Sequence, residues 1–209
     1  MSVQAVRAAQ VRRGVRLEIF TVLWMIVEAA VAIGAGVMAG SALLIAFGMD
    51  SVIELVSGAT LLWRLSVEAR GGENERVERA ERRAAWIVAV LLALLCLYVL
   101  GSALYGLATR AQPEASVAGI AISAAAVIVM PLLGIAKRRL AAALDSGALR
   151  GDAASSFTCG YMAAAVLLGV GLNALFHWWW AEPVASLLFL FWLAGETREA
   201  FEEAREERS

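Results

Sequence analysis

Apolar residues occur in long runs along the chain, separated by polar stretches. A helix needs about 20 apolar residues to cross the hydrocarbon core of a bilayer. Six runs have about this length, and the pattern therefore predicts an all-α, polytopic membrane protein with a single transmembrane domain over 1–209. The six predicted transmembrane helices cover residues 19–38, 41–63, 84–107, 115–136, 153–175 and 179–195.

Local sequence adds detail to three of these helices. Only Ala39 and Gly40 separate the first two runs, which predicts a tight helical hairpin. Gly36 and Gly40 form a GxxxG pattern, which favours close packing of helices in membranes. Pro131 lies inside the fourth run and predicts a kink, with the freed carbonyl satisfied by neighbouring helices.

Composition and the placement of charge agree with this picture. The chain is 61% hydrophobic, with a mean hydropathy of +0.72, whereas a soluble domain is nearer half apolar. All but one of the 18 Lys and Arg residues lie before run one, after run six, or in the second and fourth connections; the exception is Arg110. The positive-inside rule then predicts that both termini are cytoplasmic. We expect a multi-pass protein of the cell's inner (plasma) membrane, in contact with lipid and without a nucleic-acid partner.

Two carboxylates interrupt the second run near its middle. Asp50 and Glu54 are four residues apart, which puts them on one helix face, one turn apart. A charge in hydrocarbon costs several kcal/mol, so acids inside a membrane are usually paired, protonated or part of an ion path. The pair therefore predicts a functional site within the bilayer.

The first and fifth runs carry the remaining polar groups that could complete such a site. Glu28 lies inside the first run, and the fifth run opens with four polar residues on one helical face, Asp152, Ser155, Ser156 and Cys159. A rise of 1.5 Å per residue puts Cys159 near the level of Glu54. Carboxylates supply hard oxygen ligands and a thiolate supplies a soft one, a combination suited to zinc or cadmium. The sequence predicts a divalent-cation site at Asp50, Glu54, Asp152, Ser155 and Cys159, with Ser156 and Glu28 as further candidates.

The segment SALLIAFGMDSVIE resembles the second transmembrane helix of the cation diffusion facilitator (cation efflux) family. DAASSFTC and WWWAEP are similar to the start of helix five and of helix six in a short bacterial branch of that family. The resemblance implies that Asp50 and Glu54 bind a divalent metal, and it puts the family's helix-five ligand positions on Ser155 and Cys159. This sequence has neither the histidine nor the aspartate of the family there, and Asp152 is the expected substitute. We expect no counterpart of the family's C-terminal cytoplasmic domain, so a homodimer is expected to rest on the membrane helices and tails.

These observations predict a secondary transporter that exports a divalent cation in exchange for protons. Zinc is the expected substrate, with cadmium, cobalt, iron and manganese as alternatives. No phosphate-binding G-x-x-x-x-G-K-[ST] motif occurs, which disfavours an ATP-driven pump. The alternative is a membrane sensor or accessory subunit that binds metal without moving it. We expect neither an enzyme nor an organic cofactor, because the Ser, Cys and His residues form no catalytic constellation.

Overall fold

The computed structural model describes residues 3–68, 75–144 and 147–206, and it is all-α over this part of the chain. The expected all-α class is therefore confirmed. Six helices account for the described residues, and their bounds are α1 Val3–Ala39, α2 Ala42–Glu68, α3 Glu75–Thr109, α4 Val117–Leu144, α5 Gly147–Phe176 and α6 Ala181–Glu206.

Five of these helices are long and apolar enough to cross a membrane, which agrees with a multi-pass membrane protein. The spans lie within α1 to α5, at Arg12–Ala39, Ala42–Thr60, Ala85–Thr109, Val117–Ala143 and Leu149–Phe176. In α6 the apolar stretch is shorter, because Glu182 and Glu196 bracket it. That α6 is a sixth crossing stays a prediction; the structure shows that it packs against both α3 and α5.

The α1–α2 hairpin forms because its turn and its interface are both built on small residues. Gly40 makes the turn with a φ of 65°, a conformation that glycine adopts without steric cost. Ser41 caps α2, and its hydroxyl accepts a hydrogen bond from the backbone N–H of Leu44 at 3.2 Å. Of the two glycines in the GxxxG pattern, Gly36 packs against the backbone of Ile45 and Gly40 makes the turn.

Helices α4 and α5 also approach closely through a glycine. α4 continues through Pro131 without interruption, and the proline ring contacts Gly160 of α5. A Cβ on Gly160 would lie 2.9 Å from Cγ of Pro131, so only glycine fits there without a shift. This contact fixes the height of the neighbouring Cys159 relative to α4.

The turns between α3 and α4 and between α5 and α6 meet at one end of the bundle, which we call the opposite end. Arg110 lies over the Trp179 ring, 5.5 Å from its centroid. Beside it, the Trp178 ring stacks on that of Trp180 with centroids 5.0 Å apart, and Gln112 donates a hydrogen bond to the carbonyl of His177. An aromatic cluster of this kind is typical of a membrane interface.

A buried carboxylate ties three helices together at the same end. Glu182, in the first turn of α6, accepts a hydrogen bond from the Ser41 hydroxyl at 2.5 Å and from the Asn173 amide at 3.2 Å. The Asn173 amide also donates to the carbonyl of Pro113. Glu182, Ser41 and Asn173 are each at least 96% buried. We call this group the opposite-end cluster.

The other end of the bundle, which we call the basic end, carries the basic residues that begin α1 and end α4. Arg138 and Arg139, late in α4, are exposed there. That the basic end faces the cytoplasm stays a prediction from the distribution of Lys and Arg. Both connections on this side, residues 69–74 with Glu73 and residues 145–146, lie outside the described residues.

Candidate metal centre

Three potential ligands converge between α2 and α5. One ligand atom from each of Asp50, Glu54 and Cys159 lies within 4.8 Å of the other two. Asp50 and Cys159 are fully buried, and Glu54 is 8% exposed. The one-turn spacing on α2 puts both carboxylates on one face, and the level of Cys159 on α5 brings its sulfur close to both.

The geometry of this cluster fits a divalent cation. Ligands at about 2.0–2.3 Å from a tetrahedral metal lie roughly 3.3–3.8 Å from one another, so a small contraction would close the cluster around an ion. Both carboxylate oxygens of Asp50 and Oε2 of Glu54 are buried without a hydrogen-bond partner in the described part of the chain. Buried polar atoms are normally paired, and unpaired acceptors that point at one another are the arrangement that a cation satisfies.

Glu28 of α1 lies behind the three ligands and is held by three hydrogen bonds. Its Oε1 accepts from the Ser51 hydroxyl at 2.7 Å and from the Cys159 thiol at 3.7 Å, and its Oε2 accepts from the Trp24 indole at 2.6 Å. Because Ser51 directly follows Asp50, Glu28 is connected to both the α2 and the α5 sides of the centre. Hydrogen bonds of this kind orient ligand atoms, so Glu28 is placed to orient the Cys159 thiol, whereas its own carboxylate is not part of the three-ligand group.

The two serines of α5 behave differently. The Ser155 hydroxyl donates a hydrogen bond to Oε1 of Glu54 at 2.9 Å, which fixes the carboxylate and leaves Oε2 for an ion. The Ser156 hydroxyl donates instead to the backbone carbonyl of Asp152, one turn earlier on the same helix. Ser155 therefore belongs to the centre, whereas the structure puts Ser156 beside it without a contact to a ligand.

Comparison with known proteins identifies the fold in which this centre lies. The family model described as the cation efflux transmembrane domain matches residues 19–207. The chain belongs to the cation efflux family. It is also 30% identical over 143 residues to transmembrane protein 163 of Xenopus laevis, an alignment that covers 68% of this chain and 50% of that protein. The chain thus spans about half the length of this curated relative.

Membership of the cation efflux family confirms the resemblance seen in the sequence. Asp50, Glu54, Ser155 and Cys159 are the positions that the resemblance singled out, and in this cation efflux domain they lie together. The aspartate expected to replace the missing helix-five ligand lies elsewhere. Asp152 forms an ion pair with Lys137 of α4, with 2.7 Å between Oδ2 and Nζ.

Lys137 also contacts Glu18 of α1, and the sequence pattern gave no sign of this group. The Nζ of Lys137 lies 3.3 Å from Oε2 of Glu18, and the Lys137 side chain is fully buried. Three charged groups from α1, α4 and α5 thus lie together on the basic-end side of the metal centre. We call Glu18, Lys137 and Asp152 the ion triad.

Glu196 of α6 is a further acid that the sequence did not assign to the site. Ser41 and Glu182 meet at the opposite end, and α2 and α6 both run from there toward the basic end. At 1.5 Å per residue, Glu54 is about 20 Å and Glu196 about 21 Å from that contact. Glu196 interacts electrostatically with both Asp50 and Glu54, and its Oε1 is buried without a partner in the described residues.

The second cysteine of the chain, Cys96, lies outside the ligand cluster. It is half-buried on α3, and its sulfur is 3.3 Å from the Thr197 hydroxyl of α6. This polar neighbour comes from another helix, so helical spacing in the sequence could not reveal it. Cys96 therefore lies outside the three-ligand group, although it interacts electrostatically with Asp50, whereas Cys159 belongs to the group.

Proposed function

We propose that this cation efflux protein is a secondary transporter that exports a divalent metal cation from the cytoplasm in exchange for protons. The observation that carries the proposal is the meeting of the Asp50, Glu54 and Cys159 ligand atoms within 4.8 Å in the middle of a membrane-spanning bundle. Intramembrane acids that face one another mark an ion pathway more often than a packing feature. Family membership supports the same reading.

Zinc is the substrate that the donor set favours. Two carboxylates and one thiol combine hard and soft ligands, and zinc accepts both in tetrahedral geometry. Cadmium shares the preference for sulfur, whereas cobalt, iron and manganese depend more on the carboxylates and are the weaker alternatives. No step requires an organic cofactor.

Protons are the proposed counter-ion because the centre is rich in carboxyl groups. Asp50, Glu54 and Glu28 are buried together, and closely spaced carboxylates in a low-dielectric site do not all stay ionised unless a cation is bound. Metal arrival displaces protons from its ligands, and metal departure lets them return. The one histidine, His177, lies in the turn at the opposite end, so the exchange runs through carboxyl groups and the thiol.

The setting follows from the same proposal. Export from the cytoplasm requires the basic end to face inward, as the positive-inside rule predicts, in the cell's plasma membrane. The homodimer implied by the sequence resemblance stays a prediction. The alternative function, a metal-binding sensor or accessory subunit, shares the centre but predicts no flux.

Metal flux in proteoliposomes tests the proposal directly. With the lumen acidic relative to the bath, we expect zinc uptake through the basic-end-out population to accelerate and protons to appear in the bath. The pH gradient should act even when an ionophore clamps the voltage. Flux that ignores a pH gradient of either sign would overturn the exchange, and binding without flux would favour the sensor. Asp50→Asn protein in matched vesicles gives the background.

Cys159→Ser is expected to change which metals the protein prefers. The substitution keeps a small polar group but removes the soft ligand, so affinity for Cd²⁺ and Zn²⁺ should fall about tenfold or more. Affinity for Mn²⁺ and Co²⁺ should fall much less. Calorimetric titration in detergent measures both.

Cys96→Ser is the control for that substitution. It makes the same chemical change at a thiol that is outside the ligand cluster, and we expect all four metal affinities to stay within about twofold of wild type. Equal Cd²⁺ affinity in wild type and Cys159→Ser would indicate a site made of carboxylates alone and would remove the soft-metal preference.

A further inference from the structure

The ion triad lies directly between the metal centre and the basic end. Along α5, Asp152 is seven residues before Cys159, or about 10 Å closer to the basic end. Along α1, Glu18 is ten residues before Glu28, or about 15 Å closer. An ion that leaves the centre toward the basic end along α1 and α5 therefore reaches the triad first.

The triad also joins three helices on this side of the centre, and a fourth helix lies against it. Glu18 belongs to α1, Lys137 to α4 and Asp152 to α5, and the two ion pairs measure 3.3 and 2.7 Å. Helix α2 takes part through Gly58, one turn below Glu54. A Cβ on Gly58 would lie 3.1 Å from Oε1 of Glu18, so the absence of a side chain lets Glu18 reach across to α2.

Burial of the triad needs an explanation beyond anchoring at the membrane surface. Lys137 and Glu18 are almost completely removed from solvent, although long charged side chains near helix ends normally extend toward water. A buried ion pair is weak support for stability, since apolar residues of similar volume often serve as well. Paired charges that hold three helices are suited to an arrangement with two states, one with the pairs closed and one with them separated.

The charge balance of the triad is suited to a cation. With all three groups ionised, two carboxylates face one ammonium and one negative charge is left over. A divalent cation that arrives from the basic end is attracted to this position and competes with Lys137 for the carboxylates. The opposite-end cluster of Glu182, Ser41 and Asn173 differs from the triad, because hydrogen bonds hold it together and none of its three members is basic.

We propose that Glu18, Lys137 and Asp152 form a gate that closes the metal centre toward the basic end, and that separation of Lys137 from the two carboxylates opens it. Only the purpose of the gate rests on the proposed function. That purpose is to keep the cytoplasmic path closed while the centre is open toward the opposite end. Its structural content does not depend on transport. In the closed gate, the contacts of Lys137 with Glu18 and Asp152 prevent access to Cys159 from the basic-end side.

Cys159 is a built-in reporter for this gate. In a Cys96→Ser background it is the one thiol of the chain, and it is fully buried above the triad. The experiment measures the rate at which a small, charged, membrane-impermeant methanethiosulfonate modifies Cys159 in metal-free proteoliposomes. The reagent is added on the basic-end side or on the opposite side, and the orientation of the vesicles is determined separately.

Lys137→Met removes the ammonium and keeps an unbranched apolar side chain, so both ion pairs are lost. We expect modification from the basic-end side to become at least about tenfold faster, while the rate from the opposite side stays unchanged. Asp152→Asn is the milder variant, because the Asp152 side chain is 16% exposed and the contact between Lys137 and Glu18 survives. It should give an intermediate rate, and it serves if Lys137→Met does not fold.

Arg198→Met is the matched control. It breaks the exposed ion pair between Arg198 and Glu202 of α6, whose side chains are 81% and 56% exposed. We expect no change in the modification rate. Folding of each variant is checked by its thermal unfolding in detergent.

Two results would overturn the gate. One is an unchanged rate from the basic-end side in folded Lys137→Met and Asp152→Asn proteins. The other is equal acceleration from both sides, which indicates general loosening of the bundle. Because the measurement uses no metal, a protein that moves no zinc can still have the gate, and a zinc transporter can lack it. Failure of the gate is therefore distinguishable from failure of the proposed function.

Discussion

Asp50→Asn is expected to reduce zinc affinity by more than about a hundredfold and to abolish zinc-driven proton release. The substitution keeps the shape of the side chain but removes its negative charge and replaces one of the two oxygen ligands by an amide nitrogen. Loss of groups that only orient a metal ligand already costs about 10–100-fold in affinity, so loss of a central ligand costs more. Zinc titration by calorimetry and flux in proteoliposomes measure the two effects.

The same substitution should not impair folding. Asp50 has no hydrogen-bond partner in the part of the chain that the structure describes, so asparagine breaks no contact there. Glu54→Gln should also weaken binding strongly, and the double variant should be hardly worse than either single one, because the two carboxylates share one ion. Fully additive losses would show that the pair does not bind a common cation.

Gly48→Leu is expected to cause the largest loss of stability among single substitutions on the α1–α2 hairpin. A Cβ at Gly48 would lie 2.6 Å from Cγ1 of Ile33 and 2.9 Å from its backbone N, so the helices would have to move apart. Overpacking of this kind costs about 1–3 kcal/mol, and a contact with backbone allows little relief. Thermal unfolding in detergent should show a clear fall in Tm.

Gly34→Leu provides the control for that change. Gly34 lies on the exposed face of α1, and nothing lies within 4 Å of the position that its Cβ would occupy. The same glycine-to-leucine substitution should therefore leave the unfolding temperature within a few degrees of wild type. Leucine favours a helix more than glycine at either position, so a similar loss at both would show that the close approach of α1 and α2 does not determine the effect.

The hairpin illustrates how far the sequence pattern reaches. The short Ala39-Gly40 connection predicts the turn, and a turn at Gly40 with positive φ is what the structure has. The GxxxG pattern also predicts close packing, yet only Gly36 serves it. The deepest contact is made by Gly48, a residue that no motif in the sequence singled out. Helix periodicity indicates which residues share a face, but not which of them meets the partner backbone.

The two carboxylates of α2 could be found from the sequence because they interrupt an apolar run. An acid in the middle of such a run is more often functional than structural, and spacing alone puts Asp50 and Glu54 on one face. The rise per residue of an α-helix predicted that Cys159 lies near the level of Glu54. Asp152 was a candidate ligand because it shares the helical face of Cys159 on α5. Its carboxylate instead pairs with Lys137.

The sequence by itself determined the all-α membrane fold, because the length and spacing of apolar runs reflect the thickness of the bilayer. It also determined the carboxylate pair at the centre. Only the tertiary structure decided the roles of four charged residues, Glu18, Lys137, Asp152 and Glu196. Each of the four adjoins the end of a predicted span, where an apolar run stops at its first charge. Whether such a charge meets water or a partner depends on the neighbouring helices, since a buried charge is tolerated only where another helix supplies the opposite charge or a bound cation.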